Sequence, residues 1–160
     1  MAVSENKAHL PALGEHARQE AGNLLQLALV ELIALSLIGK QLHWNIAGPG
    51  FRDLHLQLDE LVDEWKELSD VVAERAVAIG FPPDGRAPTV VERSGLEPVE
   101  PGPMRVPDAI RQLTRRVAEV DERVRERCER LGEIDLASQD VLIEVTRALE
   151  KQLWMIRSQL

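Results

Sequence analysis

Four side chains with metal-binding chemistry stand at telling positions in this chain: His43, His55 twelve residues later, then Asp70 and Glu74. Neutral imidazole nitrogens and carboxylate oxygens together suit first-row metals, iron among them. Asp70 and Glu74 are four residues apart, so on a helix both face one side. The same spacing raises a difficulty. Residues 51–79 read as one helix, which sets His55 and Asp70 about 22 Å apart along its axis. Ligands of one ion must each come within about 2.0–2.2 Å of it. Either the two pairs are unrelated, or a second copy of the chain supplies half of the site. Two copies about a two-fold axis, histidines facing acids, cure both the distance and the shortage of ligands, and create two equivalent sites. The plainer readings stay open here. The line His55, Asp59, Asp63, Lys66, Asp70, Glu74 also fits a solvated helix face, and the two histidines fit capping or packing roles.

The elements that must position these residues are helical throughout, with no strand alternation and no internal repeat. Residues 1–14 form a short arm, punctuated by Pro11 and Gly14, and residues 15–160 form one domain. A first helix spans about 15–47, with a stripe of Leu24, Leu27, Leu32, Leu35 and Ile38 widened by Leu25, Leu29 and Ile33. Gly48-Pro49-Gly50 stops it. A second helix, about 51–79, folds back and ends at Gly80 with Pro82-Pro83 beyond. Residues 81–107 hold seven of the nine prolines and read as a long crossover with one short helix around Val90-Val91-Glu92. A third helix, about 107–131, opens at Pro107-Asp108. The fourth, about 136–158, takes Asp135 or Ser138 as its cap. Two helical hairpins joined by a long crossover are the ferritin-like form of the four-helix bundle. Glu-x-x-His, the motif of iron centres held inside one bundle, is absent from the chain.

Composition narrows the function classes. With 29% charged residues and 44% apolar ones the chain reads as a soluble globular protein. A formal net charge of -8 opposes a surface uniformly attractive to nucleic acid or anionic lipid. The apolar run from Leu24 to Ile38 is broken by Glu31 and is shorter than the ~20 residues of a bilayer span, so it reads as a buried helix. No signal peptide is expected at the start. The single cysteine, Cys128, falls on a charged helix and reads as a tolerated thiol suited to a reducing cytosol.

Three separated stretches carry a resemblance: Lys40-Gln41-Leu42-His43-Trp44-Asn45-Ile46-Ala47-Gly48-Pro49-Gly50-Phe51-Arg52-Asp53-Leu54-His55, then Asp70-Val71-Val72-Ala73-Glu74-Arg75, and near the end Asp135 to Ile143 with Leu149 to Trp154. Together they resemble the Dps family, the mini-ferritins of the ferritin-like superfamily, over about residues 20–160. The resemblance implies a hollow dodecamer with ferroxidase sites at two-fold interfaces. There His43 and His55 of one subunit would bind iron with Asp70 and Glu74 of its partner, at most two irons per site. It also implies that Asp59 stands beside a second, weaker iron and that Trp44 takes up stray oxidising equivalents, unless Trp44 simply packs at the interface. Asp140, with Glu133 and Glu144 as neighbours, would line a three-fold pore admitting iron. The implied activity is oxidation of Fe(II) by hydrogen peroxide, ferric mineral storage and protection against oxidative stress, in the cytoplasm with nucleoid association open.

Several relatives bind DNA through lysine-rich tails, whereas the arm here offers Lys7 plus Arg18. Arg111, Arg115, Arg116, Arg123, Arg125, Arg127 and Arg130 of the third helix run among Glu119, Asp121, Glu122, Glu126 and Glu129, a pattern that neutralises itself. DNA binding is therefore expected to be weak or absent. The competing readings are a nucleoid-compacting protein with secondary iron binding, and a shell that holds zinc in place of iron.

Overall fold

The computed structural model describes residues 10–160; Lys7 and the first nine residues of the arm lie outside the described residues. Four long helices, α1 (Glu15–Asn45), α2 (Phe51–Ala78), α4 (Val106–Gly132) and α5 (Leu136–Arg157), form two hairpins, α1 with α2 and α4 with α5. The connection between hairpins carries the short helix α3 (Ala87–Arg93). Apolar residues three and four apart share one core: Leu54, Leu58, Val62, Trp65 and Val72 of α2, Leu113, Val117, Val120 and Val124 of α4, and Leu142, Val145 and Leu149 of α5.

The wide apolar face of α1 has a specific cause. Its core side packs on the other long helices, while Val30 and Ala34 on another side are covered by Val90 of α3. By length and composition α1 could cross a bilayer, but 67% of its most apolar window is buried inside the bundle. Glu31, in the middle of that window, is 1% exposed. Its carboxylate accepts from the Arg127 guanidinium at 2.9 Å and lies 3.1 Å from Arg123, so a charge that would be costly alone is paired.

α1 ends at Asn45, two residues earlier than the sequence suggests. Ile46–Ala47 (β1) leaves the helix and pairs in parallel with Met104–Arg105 (β2), burying Ile46. Two residues a side are too few to show alternation, which is why no strand is visible in the sequence. Gly48 and Gly50, at φ 104° and 80°, then turn the chain into α2. Arg116 of α4 is not one of the outer arginines: it is 2% exposed and donates to the carbonyls of Glu97 and Pro98 at 3.0 and 2.9 Å, pinning the crossover. Asp135 caps α5 by accepting from the Ser138 amide at 3.1 Å, and Arg75 of α2 donates to the same carboxylate at 2.6 Å.

Candidate metal centre

The tight turn between α1 and α2 places His43, in the last turn of α1, against His55, in the second turn of α2. The rings stack with centroids 3.7 Å apart and planes at 21°. Each ring then uses the other residue's backbone: His43 Nδ1 lies 3.0 Å from the His55 carbonyl, and His55 Nδ1 lies 3.1 Å from the His43 carbonyl. A carbonyl oxygen only accepts, so both Nδ1 atoms carry the proton and donate. In the neutral imidazole each Nε2 then keeps its lone pair, the form that binds a metal.

One turn beyond His55, the Asp59 carboxylate lies 3.3 Å from His43 Nδ1 and accepts from the Lys40 ammonium. The Lys40 hydrogen bond holds the Asp59 carboxyl below its usual value, with partial burial opposing and the nearby His43 assisting. Potential ligand atoms of His43, His55 and Asp59 all lie within 4.8 Å of one another. The neutral nitrogens and the single carboxylate fit a first-row divalent ion, but with few protein donors.

Within one chain Asp70 and Glu74 do not join this cluster. Both are exposed on the far part of α2. Asp63 and Lys66, between them, form an exposed pair at 3.3 Å, so that part of the polar line is a solvated face. Trp44 follows His43 and is 70% exposed. Asp140 and Glu144 line a groove of about 600 Å³ between α2 and α5, together with Glu64 and Glu67. Glu133 stands apart from them within the chain, paired with Arg130. Lys40 had no role assigned from sequence; its signal was its position three residues before His43, on the same helix face.

Two hairpins with a long crossover and an imidazole–carboxylate cluster at the first turn define a ferritin-like bundle. Residues 22–160 match the family model described as ferritin-like domain. The DNA protection during starvation protein 2 of Deinococcus radiodurans is 33% identical over 149 residues, 93% of this chain and 62% of that relative, so the chain spans less than two thirds of its length. The DNA protection during starvation protein of Mycolicibacterium smegmatis is 30% identical over 151 residues, 94% of this chain and 82% of the relative. A solved structure of Mycobacterium smegmatis Dps superposes with a TM-score of 0.91 at 30% identity, covering 95% of this chain and 93% of that one. Dps from Microbacterium arborescens, solved in a high iron form, gives 0.88 at 31% identity, covering 94% and 97%. The chain belongs to the Dps family.

Proposed function

We propose that this protein is a ferroxidase and iron store that protects against peroxide. Subunits pair about a two-fold axis, so that His43 and His55 of one meet Asp70 and Glu74 of the other, and the pairs build a hollow dodecamer. The observation that carries this reading is the reciprocal bonding of the imidazoles. It spends both Nδ1–H groups on carbonyls and leaves both Nε2 lone pairs for a metal. The chain's own nearby carboxylate, Asp59, is already paired with Lys40. Large apolar side chains on the same end of α1 and on the first turn of α2, Leu37 at 60% exposure, Trp44 at 70% and Phe51 at 41%, supply a surface that a second copy would cover.

Iron is the substrate. The high iron form of the Microbacterium relative supports that choice over zinc. The donors suit the change of state: imidazoles hold Fe(II), and hard carboxylate oxygens favour Fe(III). Two ferrous ions and two protons reduce one hydrogen peroxide to two waters, giving two ferric ions and no hydroxyl radical. Asp59 stands where a second, weaker iron would bind, and Trp44 lies beside the centre. Asp140 and Glu144 bring carboxylates to a pore that draws Fe(II) inward, with Glu133 a lesser contributor. The protein acts in the cytoplasm, and DNA contributes little to its work.

Anaerobic loading with Fe(II), followed by peroxide, tests this reading. Ferric absorbance should form without hydroxyl-radical spin adducts, and combined His43→Ala and His55→Ala should abolish it. No ferric absorbance in the natural protein, or an unchanged rate in the double variant, contradicts the proposal.

A further inference from the structure

The chain has three tryptophans and no tyrosine. Trp44 and Trp154 are 70% and 60% exposed, whereas Trp65 is fully buried. Its indole N–H donates at 2.8 Å to Oε1 of Gln152, itself 2% exposed. The Gln152 Nε2 donates in turn, at 2.6 Å, to Oε2 of Glu64. Glu64 lines the water-accessible groove that also holds Asp140 and Glu144. A continuous hydrogen-bonded path thus runs from the only buried indole to a carboxylate at water. Satisfying an indole N–H needs one acceptor and no such continuation.

We infer that Trp65 is a one-electron reservoir for the peroxide reaction, with Gln152 and Glu64 as its proton outlet; this rests on the ferroxidase reading above. Reduction of peroxide to water takes two electrons, and each ferrous ion supplies one. Because Lys40 is paired with Asp59, a centre holding a single ferrous ion is the state in which the second electron is lacking. Trp65 supplies it: Fe(II), the Trp65 indole, hydrogen peroxide and one proton give Fe(III), the neutral indole radical and two waters. Loss of an electron makes the indole N–H far more acidic than in the resting ring. Its N–H proton passes to Gln152 Oε1 as Gln152 Nε2 releases one to Glu64, which delivers a proton to the groove and leaves Gln152 as its imidic-acid tautomer until re-reduction of the indole reverses both transfers. A later ferrous ion returns the electron, and with one proton restores the indole and yields a second Fe(III).

The position of the ring serves this role. Trp65 lies ten residues after His55 and five before Asp70, about 15 Å and 7.5 Å along α2, between the two half-sites. It also presses on α1 where the backbone is bare. A Cβ on Gly39 would lie 2.9 Å from the Trp65 Cζ3. Gly39 is one helical turn before His43, so the ring contacts the helix that carries the imidazole.

The test uses the assembled protein loaded anaerobically with one ferrous ion per centre, mixed with one equivalent of peroxide and freeze-quenched for electron paramagnetic resonance. Ring-deuterated tryptophan assigns the signal, and circular dichroism with shell size checks each variant. A tryptophan radical is expected in the natural protein and in Trp44→Phe, and is lost in Trp65→Phe, where hydroxyl-radical spin adducts rise. Gln152→Met keeps the indole but removes the outlet, and should slow radical formation about 100-fold. An undiminished radical in Trp65→Phe, its loss in Trp44→Phe, or ferric absorbance with no radical overturns the inference. Absence of ferric absorbance itself would remove the ferroxidase reading, and the inference with it.

Discussion

Lys40 sets the electrostatics of the centre. Its ammonium pairs with Asp59, the carboxylate of the same chain that stands nearest both imidazoles. A cation arriving at Asp59 must displace it. Lys40→Met should therefore tighten binding of a second divalent ion by a few-fold. Anaerobic calorimetry with Co(II) measures this, and an unchanged second affinity contradicts the role given to Lys40. The histidines were singled out by residue type and spacing, and Asp59 only through the family resemblance. Lys40 was not, because its partner sits on α2 and their meeting depends on the register of the hairpin. The exchange of Nδ1–H bonds between His43 and His55 was likewise hidden, since it depends on where two backbone carbonyls lie.

At the scale of elements, the proposed reading gives α2 one half-site at each end, and Arg75 ties down its far end. That guanidinium donates to Asp135, the cap of α5, and at 3.0 Å to the Ser138 hydroxyl. Burial pushes Asp135 up, but the hydrogen bonds from Ser138 and Arg75 outweigh it and hold the carboxyl below its ordinary value. The sign follows from linkage. A depressed carboxyl contributes stability that is full above the ordinary aspartate range, about pH 4, and is lost as pH falls from there through the folded value. Arg75→Met should cost about 3 kcal/mol near neutral pH, because it leaves a largely buried carboxylate without its cation. It should also flatten the loss of stability below about pH 4. Urea unfolding across pH reads both, and an unaltered pH profile in the variant contradicts the assignment.

The elements themselves were largely readable. Proline and glycine marked the helix ends, and 3–4 spacing marked the buried faces. What was not readable came from contacts distant in sequence. The β1–β2 bridge joins residues 58 positions apart. The arginines of α4 pair within their own helix, Arg111 with Asp108 and both Arg115 and Arg123 with Glu119, but Arg127, Arg125 and Arg130 reach acids on α1, α5 and α1.

For the whole molecule, that pairing bears on nucleic acid. Arg111, Arg115, Arg123, Arg125, Arg127 and Arg130 each have a carboxylate partner, and Arg18 donates to the Leu13 carbonyl. These pairings, with a net charge of -8, weaken the electrostatic drive toward a duplex. The intact protein should not retard DNA in a gel at about 150 mM salt, and a retained shift contradicts this.

Assembly is the claim on which the chemistry depends, and mixed shells test it most directly. One variant lacks His43 and His55, the other lacks Asp70 and Glu74; each is unfolded and reassembled alone, or the two are reassembled together in equal amounts. Each variant alone should be inactive toward Fe(II) and peroxide. Random pairing makes half the dimers mixed, and each mixed dimer has one complete site of two, so activity should return to about one quarter of the natural value. An active Asp70 and Glu74 variant by itself, with no gain on mixing, would mean that His43, His55 and Asp59 of one chain suffice, and would contradict the shared site.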